Sequence, residues 1–365
     1  MCGISGIYNY LNKDINSKNI IKKIVDIQRR RGPDGNDIWS SECKKVTFGH
    51  NRLSIIDLSE KANQPFVSKD KNLIITFNGE IYNYKEIKNE LIQKNISFKS
   101  NSDTEVIVES YKFWGINFLN KLRGMFSFAI WDRLNKKLIL ARDPFGIKPI
   151  YYTKNNGIYY FASQVKSLQT IESIKFEFSN AGLVSYYLWG NIQEPFTLYK
   201  NINSLKKGTC LVIDENGSEQ TIDYANIKNL ILNSEKINFK NQNDKSTYLK
   251  NIIEETVKYH HVSDVPRTVL LSSGVDSNLI LGAMDNNSKI NCDALTLDFK
   301  YSGEKNETIL AKESANINKI IHNISEINEN EFILLLENFY SDMDLPTNDG
   351  FNNYLISYLA KKNNS

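Results

Sequence analysis

The chain has 365 residues, of which 41% are hydrophobic and 24% charged, the composition of a globular protein long enough for two domains. Its net charge of +3 is small for this length and gives no charge argument for nucleic acid or a membrane surface as partner, and no apolar run reaches the roughly 18 residues of a transmembrane helix. The start lacks a basic region followed by an apolar core, so no signal peptide is expected, and the four cysteines, Cys2, Cys43, Cys210 and Cys292, lie far apart with no C-x-x-C pair, which favours a reduced, cytoplasmic setting over a cysteine metal site.

The chain opens Met1-Cys2-Gly3-Ile4-Ser5-Gly6, with Ile4 and Ile7 in a strand-like pattern. Cys2 is small enough for Met1 to be removed, which would leave a thiol and a free α-amine on one residue. An α-amine titrates at about 7.7–8.0, so it can act as the base that activates the thiol. Gly3 and Gly6 would let the backbone bend closely around a substrate. An ordinary chain start with cysteine second is the competing reading.

A helix is expected over 17–28, with Ile20, Ile21, Ile24, Val25 and Ile27 at helical spacing. In Arg29-Arg30-Arg31-Gly32-Pro33-Asp34-Gly35 the Gly-Pro and Asp-Gly pairs mark a tight loop. The arginines read as a solvated helix end, favourable at the negative end of the dipole, rather than as a loop closing over an anion. Strands are expected over 46–48, 53–56 and 73–77, and helices over 86–93 and 102–114 with Gly115 as the stop. Short aromatic strands follow over 125–131, 137–141, 149–153 and 158–162, and the last strand of this half over 209–213. Many strands with few helices predict sheets layered with helices.

Residues 224–245, rich in Asn, Lys and Ser, read as a linker. Beyond them the period changes. Helices are expected over 248–260, 275–284, 306–317, 329–340 and 354–361, and strands over 268–271, 294–299 and 320–324, the first of them buried. This alternation predicts a parallel sheet flanked by helices.

Three constellations carry chemistry. In Leu271-Ser272-Ser273-Gly274-Val275-Asp276-Ser277 a strand runs through a small-residue turn into a helix. Convergent N–H groups and the helix N-terminus favour a phosphate or pyrophosphate there, with Ser272, Ser273 and Ser277 as hydroxyl donors and Asp276 placed to hold Mg²⁺. A helix N-cap and a plain turn are the alternatives. In Phe77-Asn78-Gly79-Glu80-Ile81-Tyr82-Asn83, the Asn78 amide and the Gly79 N–H would make a two-donor oxyanion hole for a thiol attack, against an ordinary Asn-Gly turn. Arg52 and Asp103 can clamp the carboxylate and ammonium of an amino acid, against a surface arginine and a helix-start aspartate. His50 reads as structural.

These stretches, with Arg31-Gly32-Pro33-Asp34-Gly35, Arg52-Leu53-Ser54-Ile55-Ile56-Asp57, Ser102-Asp103-Thr104-Glu105, Gly124-Met125-Phe126, residues 141–152 and Ser263-Asp264-Val265-Pro266, span nearly the whole chain in order. Together they resemble the glutamine-hydrolysing asparagine synthetase family. The resemblance implies a class II glutamine amidotransferase (glutaminase) domain over 1–222, a linker over 223–245 and the N-terminal part of a synthetase domain over 246–365. The first domain would be an α+β N-terminal-nucleophile sandwich, two antiparallel sheets between helices. The second would be an α/β parallel-sheet domain of the adenine-nucleotide α-hydrolase-like kind, incomplete. Cys2 would attack the glutamine side-chain amide with its own α-amine as base, Asn78 and Gly79 forming the oxyanion hole. Arg52, Glu80 and Asp103, with backbone at Ile55 and Ile56, would hold the rest of the substrate. Ser272, Ser273, Gly274, Asp276 and Ser277 would bind the pyrophosphate of ATP with Mg²⁺, and Leu271 and Leu297 would line the adenine pocket. Ammonia would react with an acyl-adenylate of aspartate, and the assembly would be a homodimer.

Three departures are local: Arg30 where the family usually has His, Gln164 where it has Glu, and Ser273 where Gly is common. A fourth is larger. The Ser-Gly-x-Gly-x-Asp-Glu stretch that follows the family's equivalent of helix 354–361, and that contacts ATP, is absent from the sequence, so glutamine hydrolysis without completed synthesis is expected. A relative adenylating another carboxylate, such as a sugar acid, and a non-catalytic relative are the alternatives.

Overall fold

The computed structural model describes residues 1–299 and 307–363. The chain forms two compact units. The first takes Met1–Ser234 with Asp344–Pro346, and the second the remainder.

In the first unit β1 (Gly3–Asn9), α1 (Ser17–Ile27), β2 (Gly35–Ser40), β3 (Val46–Arg52), β4 (Phe66–Val67), β5 (Leu73–Ile81), α2 (Tyr84–Gln93) and α3 (Asp103–Trp114) come first. They are followed by β6 (Gly124–Asp132), β7 (Lys137–Arg142), β8 (Tyr151–Asn155), β9 (Ile158–Ala162), α4 (Val165–Leu168), α5 (Asn180–Trp189), β10 (Asn203–Ser204), β11 (Thr209–Ile213), β12 (Glu219–Asp223) and α6 (Ile227–Asn233). The strands make two six-stranded sheets, ordered β10-β8-β9-β1-β3-β2 and β12-β11-β7-β6-β5-β4, antiparallel throughout.

β1 lies inside the first sheet and is buried along its whole length. Its two-residue period sends Ile4 and Tyr8 into the core between the sheets, against Phe48, Phe161, Trp131 and Leu140. Ile7 points the other way, under Ile21, Ile24 and Val25 of α1. Burying each such aliphatic side chain contributes about 1.5–3 kcal/mol, so both faces fix this strand. Gly6 is required by that packing and not by a substrate, since a Cβ there would lie 2.3 Å from the Phe161 ring. Asn16 caps α1 through Asn19 N–H. On the second sheet's outer side, Phe118 packs against Phe128 at 6.0 Å and the Tyr111 hydroxyl of α3 donates to Asp132.

The second unit holds α7 (Gln242–His260), β13 (Arg267–Leu270), α8 (Val275–Ala283), α9 (Asn286–Lys289), β14 (Cys292–Phe299), α10 (Glu307–Ile317), β15 (Ile321–Ile327), α11 (Glu329–Asp342) and α12 (Phe351–Lys362). Its three strands pair in parallel in the order β13-β14-β15, the beginning of the expected parallel-sheet domain. Leu271, Leu281, Ala294, Ala311 and Ala315 form its core under α7, α8 and α10.

Several expectations need correction. Residues 53–56, expected as a strand, are a loop, because their amides turn to side chains: Leu53 N–H to Cys2 and Ser54 N–H to Asp34. Strands β2, β4, β10 and β12 were not expected. β12, Glu-Gln-Thr-Ile-Asp, is a mostly exposed edge strand without apolar alternation, and it comes after the expected last strand. Residues 224–245 carry α6 and the first turn of α7. β13 is half-exposed where a buried strand was expected, with Leu270 46% exposed. The expected start of the next-to-last-but-one helix at Asn306 lies outside the described residues.

Replacing Gly6 with alanine is expected to lower the urea midpoint of the first unit by the equivalent of about 1–3 kcal/mol. Adding Phe161→Leu, which removes the two ring atoms in the way, should recover part of it, whereas strictly additive losses in the same titration would contradict this account of the glycine.

Candidate active site

Four elements end at one cleft of about 110 Å³ lined by Cys2, Arg52, Ile55, Ile56, Asn78, Gly79, Glu80 and Asp103. The eight residues expected to handle glutamine are therefore brought together. Met1, Leu53, Ala62, Gln64, Phe77, Ser102, Thr104 and Lys148 complete the lining.

Cys2 stands at the mouth of β1. Near the start of the strand, Ile4 N–H donates to Ser163 Oγ at 3.0 Å and Ser163 N–H returns a bond to Ile4 O at 2.9 Å, which fixes where the sulfur emerges. Leu53 N–H donates to Cys2 Sγ at 3.3 Å. Burial pushes the thiol up, opposed by Leu53 N–H and the positive amino terminus. The amino group, here carried by Met1, is brought down to about 6, chiefly by burial and further by the charges of Arg31 and Lys148, against Cys2 and Glu80. An amine so placed is largely uncharged at neutral pH and able to accept a proton.

Asn78 lies near the end of β5 with 1% exposure, and its Nδ2 has no acceptor among the described residues. A buried amide left unpaired costs about 1–3 kcal/mol, so its donor is held ready for a group the protein does not supply. Gly79 follows, and a Cβ there would lie 2.2 Å from Met125 O on the neighbouring strand. No larger residue fits.

Arg52 ends β3 with its guanidinium already pinned: Nη1 to Asn63 Oδ1 at 2.6 Å and Ser59 O at 3.2 Å, Nη2 to Asp57 O at 2.5 Å. A cation held in this way can face a carboxylate without first losing side-chain freedom. Asp103, the first residue of α3, accepts from Ile81 N–H at 3.0 Å. Burial, with the charge of Glu80, raises its carboxyl to about 7. Gln64 ties these pieces together, its Oε1 accepting from Phe77 N–H at 2.7 Å and its Nε2 donating to Thr104 Oγ1 at 3.2 Å.

Arg31 departs from its expected place as a solvated helix end. Arg29 and Arg30 are exposed, but Arg31 is half-buried and its Nε donates to Cys2 O at 3.1 Å. The chain turns inward here because Gly32 packs against the Asn51–Arg52 backbone, where a Cβ would lie 2.3 Å away. Lys148, Gln64 and Ser163 were also not expected at the site. Lys148 and Ser163 fall inside or beside recognisable motifs but have no local pattern of their own. His50 sits wholly buried in β3, its ring held neutral by burial with a pKa of about 3 and its Nδ1 3.1 Å from Thr76 Oγ1. It does not line the cleft.

In the second unit Leu271 is buried at the end of β13, and its O accepts from Thr296 Oγ1 at 2.7 Å. The turn that follows closes on itself. Ser272 Oγ and Ser277 Oγ are 3.0 Å apart, Gly274 N–H donates to Ser272 Oγ at 3.1 Å, and Asn278 Nδ2 donates to Ser272 O and Gly274 O. Gly274 caps α8, with Asp276 exposed in its first turn. Ser273 and Leu297 are half-buried, Leu297 on β14. One exposed carboxylate beside a helix N-terminus suits a divalent cation shared with phosphates. No cluster of three or more His, Cys, Asp or Glu that could hold a metal by itself occurs among the described residues. Nor is any helix among them long and apolar enough to cross a membrane.

Two family models match the chain: a glutamine amidotransferase domain over residues 1–225 and asparagine synthase over 248–365. Asparagine synthetase [glutamine-hydrolyzing] 1 of Bacillus subtilis is 34% identical, covering 90% of this chain and 51% of the relative. A putative asparagine synthetase of Methanocaldococcus jannaschii is 31% identical, covering 99% and 72%. Amidase chry2 of Gibberella zeae is 27% identical, covering 96% and 55%. The chain thus spans about half the length of most of these curated relatives.

The raised carboxyl of Asp103 makes a stability prediction. A carboxyl whose folded pKa of about 7 exceeds its ordinary 3.8 binds its proton more tightly when folded, so its contribution is complete below 3.8 and is lost as pH rises through 7. Urea midpoints should fall between about pH 4 and 7 in the parent, and Asp103→Asn should flatten that fall. An equal fall in both proteins would show that the carboxyl titrates in its ordinary range.

Proposed function

The chain belongs to the glutamine-hydrolysing asparagine synthetase family, and on that premise we propose that its first unit hydrolyses glutamine to glutamate and ammonia with Cys2 as nucleophile. The observation that carries the reading is the buried Asn78 amide, unpaired among the described residues, lining the same cleft as the Cys2 thiol.

With Met1 removed, the α-amine of Cys2 takes the thiol proton and the sulfur attacks the side-chain carbonyl carbon. The oxyanion that forms accepts from Asn78 Nδ2 and Gly79 N–H. As the tetrahedral intermediate collapses, the same amine returns the proton to the leaving nitrogen, the C–N bond breaks, ammonia departs and a thioester remains. Water then attacks the thioester carbonyl, releasing glutamate and restoring the thiol. Arg52 faces the substrate's α-carboxylate, while Glu80 and Asp103 face its α-ammonium, with backbone at Ile55 and Ile56 closing the cleft. An incoming ammonium favours the ionised form of Asp103, so substrate binding there is linked to proton release.

The family's synthetase domain uses ATP. In the whole protein, aspartate would be activated as an acyl-adenylate that ammonia converts to asparagine, with release of AMP and pyrophosphate. The turn from Ser272 to Ser277 would hold the pyrophosphate, Asp276 the Mg²⁺ shared with it, and Leu271 and Leu297 the adenine. The likeness to Amidase chry2 over 96% of this chain, a relative with a different printed name, supports a second reading, in which the acceptor is a different carboxylate.

The test follows glutamate, asparagine, AMP and pyrophosphate together in one reaction with glutamine, aspartate, ATP and Mg²⁺. Glutamate should form and disappear with Cys2→Ala. Asn78→Ala should lower kcat about 10²–10³-fold with a smaller change in KM. Undiminished glutamate from either variant would remove this reading. AMP formed with another carboxylate but not with aspartate would select the second reading.

A further inference from the structure

Lys148 lines the nucleophile's cleft with only 6% of its surface exposed, an unusual place for an ammonium that carries no assigned part in the reaction. It is held there firmly. Asp143 gathers the loop that bears it, accepting from Phe145 and Ile147 N–H on Oδ1 at 3.0 Å each and from Lys148 N–H on Oδ2 at 3.0 Å. Lys148 O in turn accepts from Arg142 Nε at 3.0 Å. Gly146, at φ +71°, makes the turn.

The charges in and around this cleft come from several elements. The amino terminus and Cys2 come from the start of β1, Arg31 from the loop after α1, and Arg52 from the end of β3. Glu80 lies on β5, Asp103 on α3, and Asp143 on the lysine's own loop. Arg31 has Asp344 and Tyr151 as further charged or titratable neighbours. Burial lowers the Lys148 ammonium, and Glu80 opposes that.

We propose that Lys148 is a positioning residue of the hydrolytic site that acts through its charge: in the cleft it favours the thiolate of Cys2 and the uncharged form of the adjacent amine, so that nucleophile and base are both ready near neutral pH. This deepens the glutaminase reading and rests on it. A positive charge stabilises a neighbouring anion and destabilises a neighbouring cation, so one lysine moves both partners in the useful direction. Arg31, tied to Cys2 O, supplies the same sign, but Lys148 is the cation among the two that lines the cleft itself.

The test reads the thiol directly. With Met1 removed and the exposed Cys43 replaced by serine, alkylation of Cys2 by iodoacetamide is followed against pH. Lys148→Met is expected to move the half-maximal pH upward by roughly half to one unit, a loss of about three- to tenfold in rate near pH 6 that vanishes at high pH. Lys148→Arg should restore the parent midpoint. Should Lys148→Met not fold, Lys148→Gln serves in its place. A lowered plateau with an unmoved midpoint would make Lys148 merely structural, and a downward shift would reverse its sign; either overturns the proposal. Alkylation needs no substrate, so this outcome is independent of whether glutamine is hydrolysed. The acid limb of kcat/KM for glutamine should then show the same shift. A shift in alkylation with no glutamate formed by the parent would remove the glutaminase reading and leave the charge effect standing.

Discussion

The first unit depends on where one strand begins. β1 is buried on both faces, with Ile4 and Tyr8 on the inter-sheet core and Ile7 under α1, and reciprocal bonds between Ile4 and Ser163 fix its first residues. A strand so placed has no freedom to slide, because a one-residue slip would exchange every side chain between two different cores. The sulfur of Cys2 is therefore set by the packing of residues that never meet a substrate. Leu53 N–H, 3.3 Å from that sulfur, and Arg31, bonded to the Cys2 carbonyl, add polar restraints to a position the apolar core has already defined.

Around that point the cleft concentrates charges that a folded protein ordinarily keeps in water. Three of them are anchored. Arg52 is held by Asp57, Ser59 and Asn63, Asp103 by Ile81 N–H, and Lys148 by a loop gathered on Asp143. Buried ions are costly when alone and tolerable when preorganised. The shifts that result point in a chemically useful direction, with the amino group brought down to about 6 and Asp103 raised to about 7. Asp103 stands near the middle of its titration at neutral pH, where charge-linked binding responds most to a substrate, while the amine carried by Met1 is largely uncharged there and can accept a proton.

Much of this was legible in the sequence where a motif carries its own local chemistry. The thiol at position 2, the Asn-Gly pair ending an apolar run, and Asp103 one residue after its Ser102 cap each announce a role through adjacent residues, and they meet in one cleft. The alternation of strand and helix after residue 245 likewise announced a parallel sheet. What was not legible comes from contacts distant in sequence. Arg31 reads as the end of a charged run until the close approach of Gly32 to Asn51 turns it inward. Gln64 and Ser163 act by bonding backbone many residues away. Leu53 to Ile56 have the apolar content of a strand, yet their amides are engaged by Cys2 and Asp34. β12 is an edge strand whose pairing with β11 needs no apolar face.

The two candidate sites differ in how their polar groups stand. In the cleft of the first unit the Asn78 amide is left without an acceptor among the described residues, so an incoming acceptor gains a bond there without displacing another. In the turn after β13 the hydroxyls of Ser272 and Ser277 are bonded to each other, and the amide of Asn278 donates to the backbone carbonyls of Ser272 and Gly274. A phosphate there must exchange each internal bond for a new one, and the net gain falls mainly to the charge-assisted bonds and to the N-terminus of α8. The first site thus offers an unpaired donor to an incoming acceptor. The second is suited to a ligand with enough negative charge to open the turn, which a triphosphate with its divalent cation would bring.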